Sequence, residues 1–360
     1  MDILFYFLLS LFAILLSCIV FSNSVEWLGA RLNLSHGITG SLLAAVGTAL
    51  PETIVPLVAI FWGINYETFI KVLHGDFNSF NSVNQSVNQI SIGAIIGAPF
   101  MLSTVAFFLI GLSSWLYFKS GRRKSNLINV DETILERDLT FFIISFSLAY
   151  LAIFLNHFFH VVLATLMIAL YILYLYLTIK EETKEAYKGE ELEENLDPFL
   201  LSKLIPNLKP TLLLISLQLT VSLIFLLFSA HHFVEVIKEI SNRLSFPAFI
   251  ISLLLTPIAT ELPEKFNSWM WIRQKKDTLA VGNISGALVF QSTFPVTIGL
   301  LFTSWQINSV ISNLTFIICL INAGIVLISL RNNKLNYKTF LFCGLFYLLY
   351  LIVIFFKLKQ

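Results

Sequence analysis

The sequence predicts an all-α polytopic membrane protein: ten transmembrane helices arranged as two inverted five-helix repeats. Three observations lead there. The 360 residues are 57% hydrophobic and only 12% charged, with a mean hydropathy of +0.81, values of the multi-spanning membrane class and not of a soluble domain. Apolar runs of about 20 residues, the length needed to cross the hydrocarbon layer, recur ten times along the chain. One segment also occurs twice: GSLLAAVGTALPETIVP from Gly40 to Pro56 is matched by SLLLTPIATELPEKFNS from Ser252 to Ser268, at an offset of 212 residues.

The first run, 2–22, has neither a basic leading segment nor a small-residue cleavage site, so it reads as a span and not as a removable signal. Spans two to five fall at 37–62, 91–118, 139–156 and 159–179. The boundary between the fourth and fifth rests on Asn156, His157 and His160. These histidines lie three apart with no further ligands nearby and read as interfacial residues, as do His231 and His232. A charged linker, 180–209, separates this first repeat (1–179) from a second (210–360), whose spans fall at 210–231, 246–270, 278–304, 309–330 and 338–356. Within the linker the acidic run from Glu181 to Asp197 alternates with lysines and lacks the Asp-rich spacing of an EF-hand.

Lysine and arginine set the orientation. The connections after spans one, three, five, seven and nine carry 17 of them, and the opposite side carries 5. The positive-inside rule therefore places the linker in the cytoplasm and both termini outside it, in a multi-pass protein of the cell membrane. Five spans per repeat is an odd number, so the two copies enter the bilayer from opposite faces. Secondary transporters use this plan, with binding at mid-membrane between interrupted helices. The repeat also extends into the next span, where GAIIGAPFMLST (Gly93 to Thr104) parallels GNISGALVFQST (Gly282 to Thr293). The pairs Gly93/Gly97 and Gly282/Gly286 would let these spans approach their neighbours closely.

The doubled segment carries the chemistry. Each copy sets a carboxylate beside a proline inside an apolar span: Pro51-Glu52 and Pro263-Glu264. A charge at the bilayer centre costs about 2.5–3.5 kcal/mol on insertion scales, so such residues mark ion or substrate paths by default. Proline has no N–H, so Pro51 frees the carbonyl of Gly47 and Pro263 that of Ala259. Pro56 and Pro257 do the same for Glu52 and Leu253. Thr48 precedes Glu52 by four residues, and Thr260 precedes Glu264 by four, so each pair shares a helix face. Carboxylate, hydroxyl and bare carbonyl oxygens together suit a hard cation such as Ca²⁺ or Na⁺. Asn283 and Gln291 are polar within span eight and join the candidate set. The competing role, a protonated carboxyl bonding one helix to another, does not account for two symmetry-related copies.

Other classes find little support. A net charge of +1 argues against a nucleic-acid partner. Cys18, Cys319 and Cys343 sit in apolar runs without paired spacing, which suggests neither disulfides nor a zinc site. No HExxH motif points to a membrane-embedded enzyme, and no repeated filter or charged ring points to a channel.

Taken together these residues resemble the sodium/calcium exchanger family of cation/Ca²⁺ antiporters, in a divergent prokaryotic-type form. The linker is too short for the large Ca²⁺-sensing insert of animal exchangers. The resemblance covers the five-plus-five layout and both repeats, with Pro-Glu as its most specific element. It implies that Glu52 and Glu264 are the principal Ca²⁺ ligands, that Thr48 and Thr260 serve neighbouring Na⁺ sites, and that spans one and six slide to switch access. It implies no cofactor and no protein partner, only inorganic cations and the bilayer. The chain departs from the family pattern at Ala49 and Glu261, where Ser is common between Thr and Leu-Pro-Glu. It departs again at Ala98 and Ala287, also commonly Ser, and at Leu102 and Gln291, commonly Asn or Asp. Glu261 admits two readings. Like-charge repulsion and burial beside Glu264 would favour a proton carrier, whereas Lys265 four residues on would neutralise it. Exchange of Ca²⁺ or a related divalent cation against Na⁺ is thus the expected activity. The alternatives are Ca²⁺/H⁺ exchange through Glu261 and Glu264, or a cation channel.

Overall fold

The computed structural model describes residues 2–31, 44–63, 85–185, 198–204, 210–244, 246–305 and 309–357. Among these the secondary structure is helical, with one isolated bridge pairing Leu127 and Asn336. In chain order the helices are α1 (Asp2–Arg31), α2 (Ala44–Gly63), α3 (Gln85–Lys119), α4 (Glu132–Ala152), α5 (His157–Glu185), α6 (Leu200–Leu204), α7 (Leu212–Leu244), α8 (Ala248–Thr260), α9 (Leu262–Arg273), α10 (Asp277–Phe302), α11 (Val310–Arg331) and α12 (Tyr337–Lys357). Seven of them, α1, α3, α5, α7, α10, α11 and α12, are long and apolar enough to cross a membrane. The apolar part of α2 and the whole of α8 are shorter. α4 falls outside that group because Glu136, Arg137 and Asp138 interrupt it.

The helices gather into two compact units, each built from two separate stretches of the sequence. The first comprises 1–94 and 172–263. Here α1 lies along α7, and α2 and α8 pack on both and on each other. Ile14, Ile54, Val55, Phe233, Ile237 and Ala259 are among its buried core. Leu4, Phe5, Phe12, Leu213, Phe225 and Phe228 are exposed apolar residues of α1 and α7, a surface suited to hydrocarbon. Because lipid tails are as apolar as leucine, close packing and interhelical hydrogen bonds, at about 0.6–2 kcal/mol each, supply the specificity.

One such polar hub fixes α6. Its leading amides find acceptors on two long helices: Leu200 N–H donates to Asn23 Oδ1 on α1 (3.1 Å), and Leu201 N–H to Gln218 Oε1 on α7 (3.2 Å). Gln218 Nε2 in turn donates to Ser24 Oγ (2.9 Å) and Asn23 Oδ1 (3.2 Å). Phe199 is buried against the edge of Trp27. A five-residue helix cannot stand alone in water; this one is held by capping from its neighbours.

Helix crossing in this unit depends on Gly93. A Cβ there would stand 2.5 Å from the Phe249 carbonyl oxygen and 3.2 Å from Leu253 N, both backbone atoms of α8 that cannot turn aside. Gly93→Val is therefore expected to abolish recovery of monodisperse protein after detergent extraction. Gly282, its counterpart in the repeat, has no described atom within 4 Å of such a Cβ. Gly282→Ala is expected to extract like the wild type, so the close approach anticipated for both glycines holds at the first.

The second unit comprises 95–171 and 264–360. α4 packs on α10 and α11, and α12 packs on α3. Midway along α3 the residues Leu102–Ala106 form a π-helical turn. Phe107 N–H reaches back to Leu102 in place of Ser103, and the Ser103 carbonyl accepts from Asn322 Nδ2 of α11 at 3.0 Å. At the position that aligns with Ser103 in sequence, Ser292 on α10 bonds Ser145 on α4 at 2.6 Å. His160 Nε2 pairs with the Ala152 carbonyl (2.9 Å) and caps the end of α4, consistent with a structural part for that histidine. The 120–131 connection is pinned to the start of α10. Arg123 grips Asp277 with both terminal nitrogens (2.7 and 2.5 Å), Asn129 N–H donates to the same carboxylate (3.0 Å), and Asp131 N–H to Thr278 Oγ1 (3.0 Å).

Candidate ion-binding site

α2 runs without interruption through Pro51 and Pro56. Glu52 is 4% exposed, followed by fully buried Thr53 and Val55, so a carboxylate sits within an apolar, proline-bearing helix. α8 behaves differently. Its last regular bond joins Glu261 N–H to the Pro257 carbonyl (3.0 Å). Pro263 then has no hydrogen to offer Ala259, and Glu261 forms a bend (φ −99°, ψ 3°) before α9 begins at Leu262. The interruption expected of both copies thus occurs in the second, at the residue that replaces the usual serine.

Around that bend Ala259, Thr260 and Glu261 are buried, Glu261 completely. Glu52 belongs to the same unit, in which α2 and α8 pack on each other. A carboxylate, a second carboxylate, a hydroxyl and a carbonyl without its helical donor therefore come from two neighbouring helices. The Thr260 hydroxyl donates to the Thr256 carbonyl (3.2 Å). The side chains of Thr48 and Glu264 lie outside the described residues, as does any detail at Gly47 beyond its helical backbone.

The remaining candidates belong to the second unit. Asn283 donates to Ser268 Oγ (3.2 Å), tying α10 to α9 one turn beyond Glu264. Gln291 is 1% exposed, two turns further along α10. Lys265 is buried as well. Among the described residues no group of three or more His, Cys, Asp or Glu side chains could hold a metal ion.

Two features escaped the sequence reading. Asp138, placed by that reading before span four, is buried within α4; it accepts from Ser285 Oγ of α10 (2.6 Å) and lies 3.3 Å from Arg137 Nη2. Ser252 and Thr256 precede Thr260 at steps of four and are buried with it; the four-residue spacing of hydroxyls was the available signal.

The family model described as sodium/calcium exchanger protein matches residues 3–180 and 214–358. The chain belongs to the sodium/calcium exchanger family. Solved structures agree in fold with this family member. An H⁺/Ca²⁺ exchanger, CAX, superposes with a TM-score of 0.70 at 19% identity, covering 98% of this chain and 82% of that one. The sodium-calcium exchanger NCX_Mj, soaked with Na⁺ and Ca²⁺, gives a TM-score of 0.55 at 20% identity, covering 98% of each chain. The same exchanger soaked with 10 mM Na⁺ and 10 mM Sr²⁺ gives 0.56 at 20%, covering 98% and 97%. A search of curated proteins finds no match.

Proposed function

We propose that the chain is a secondary antiporter that exchanges Ca²⁺, or a related divalent cation, for Na⁺ by alternating access. The observation carrying this reading is Glu52, a carboxylate 4% exposed within an apolar proline-bearing helix, in a chain of an exchanger family. Glu52 and Glu264 are the divalent-ion ligands in this reading. Thr48, Thr260, Gly47, Ala259, Gln291 and Asn283 supply further oxygens, and α1 with α7 is the moving pair. Ten spans in two inverted repeats (1–179 and 210–360), a cytoplasmic linker between them and both termini outside complete the proposal. The reciprocal pins Asn322 to Ser103 and Ser145 to Ser292 support the repeat, since each joins a span-three or span-eight position to the fourth span of the opposite copy.

The second reading, Ca²⁺/H⁺ exchange with Glu261 and Glu264 as proton carriers, is favoured by the complete burial of Glu261 at the bend. Proteoliposomes distinguish the two. Uptake of labelled Ca²⁺ driven by an imposed Na⁺ gradient at uniform pH is expected. Uptake driven by a pH gradient alone would transfer the assignment to the second reading, and uptake under neither would overturn antiport altogether.

A further inference from the structure

In the second unit the end of α3 meets the start of α12, and basic side chains gather there without acids to balance them. The rings of Phe118 and Tyr337 lie 5.9 Å apart. Tyr337 N–H donates to the Asn126 carbonyl (3.3 Å), Ile128 N–H donates to the Leu335 carbonyl (3.1 Å), and Leu127 bridges Asn336. The turn that follows α3 is thus fastened to the turn that precedes α12. Its shape is fixed from within. Gly121 takes the left-handed φ of 72°, and the Arg123 guanidinium is engaged by Asp277 and by the Leu127 carbonyl (3.2 Å). Arg122 and Lys124, on either side of it, are exposed, as are Lys119, Lys334 and Lys338. Among the described residues none of these five forms an ion pair; Asp277 and Glu136 pair with Arg123 and Arg331 instead. The sequence has no Asp or Glu from 77 to 130 or from 278 to 360, so the surplus charge is local.

Aromatic rings seat two of the charges. Lys119 Nζ stands over the Trp115 ring, 5.3 Å from its centre, and the Arg122 guanidinium over Tyr117 at 5.9 Å. Tryptophan and tyrosine favour the layer where headgroups meet hydrocarbon. Toward the spans, Leu116 and Phe118 on α3 and Phe342 and Leu345 on α12 are exposed and apolar, on helices long enough to cross a bilayer. An acidic protein or a nucleic acid would leave that apolar flank uncovered. A phospholipid covers it with its chains while its phosphate meets the cations, and a net negative headgroup adds no cation of its own to oppose them. We propose that the junction of α3 and α12 is a binding site for an anionic phospholipid, its headgroup held by Lys119, Arg122, Lys124, Lys334 and Lys338. The site stands apart from the antiport reading and requires only that these helices lie in a membrane.

The test uses purified full-length protein in neutral detergent, titrated with phosphatidylglycerol and followed by native mass spectrometry, with phosphatidylcholine as the neutral comparison. Phosphatidylglycerol is expected to be retained in preference to phosphatidylcholine, and less so as salt rises. Combining Lys119→Gln with Arg122→Gln and Lys338→Gln is expected to weaken phosphatidylglycerol binding about fivefold for each charge removed. Its thermal midpoint in lipid-free detergent should match that of the wild type, since all three side chains are exposed. Lys119→Arg with Lys338→Arg, which keeps the charges, is expected to bind like the wild type. If the triple variant is not recovered, Lys119→Gln and Lys338→Gln carry the test singly. Equal retention of the two lipids by the wild type overturns the proposal. So does an equal loss when Arg273→Gln, Lys275→Gln and Lys276→Gln remove three charges from the connection between α9 and α10, because diffuse attraction alone would give that. Displacement of phosphatidylglycerol by inorganic phosphate overturns it too, by showing a site for a free anion in place of a lipid.

Discussion

Glu52→Gln is expected to reduce cation exchange to the level of protein-free liposomes while leaving the protein as stable as before, or more so. The side chain is 4% exposed inside an apolar helix, and glutamine keeps its size and one carbonyl oxygen while removing the charge. Holding an ionised carboxylate at that depth costs about 2.5–3.5 kcal/mol, and the neutral amide is relieved of the cost. A divalent ion that has shed water finds compensation chiefly in formal negative charge, which the amide lacks. Stability and transport should therefore move in opposite directions. Thermal unfolding of purified protein beside labelled Ca²⁺ uptake checks both signs. A variant that still exchanges at the wild-type rate removes Glu52 from the site. Glu264→Gln is expected to lose transport in the same way.

Asp277→Ala is expected to be the most destabilising single change outside the crossing helices' apolar faces, by about 3–5 kcal/mol. Arg123 and Asp277 side chains are 9% and 3% exposed, so alanine strands a buried guanidinium and deprives the Asn129 amide of its acceptor. Replacing both members, Arg123→Met with Asp277→Leu, should recover much of the loss, because burying two charges is itself unfavourable. Unfolding midpoints in detergent for the single and double variants measure this. Equal midpoints for wild type and Asp277→Ala would show the clasp to be solvated.

Hydropathy and a repeated Pro-Glu were enough to anticipate a helical membrane protein of this family, because both signals are local. What escaped was set by distant partners. Glu136, Arg137 and Asp138 look like the flank of a span, and only Ser285, far along the chain on α10, shows that Asp138 faces inward. Ser252 and Thr256 vanish into an apolar run, since single hydroxyls barely alter its hydropathy and the acceptor of Ser252, the Ile90 carbonyl, lies far away in the chain. α7 continues past its apolar stretch to Leu244. There Lys238 pairs with Glu235 and Arg243 with Glu239, supporting a helix that hydropathy does not register. The doubled motif itself misled in one respect. It suggested two like interruptions, but α2 passes straight through its prolines, while Pro257 and Pro263 bracket Glu261 and halt α8.

The moored α6 bears on how the chain tolerates change in length. Its start is fastened to Asn23 and Gln218, so the entry point of α7 is set downstream of the acidic run and owes nothing to the number of residues in it. Closing a longer loop costs only about 0.6 kcal/mol per doubling. Insertions between 186 and 197 are therefore expected to leave the contacts of α6 with α1 and α7 as they are.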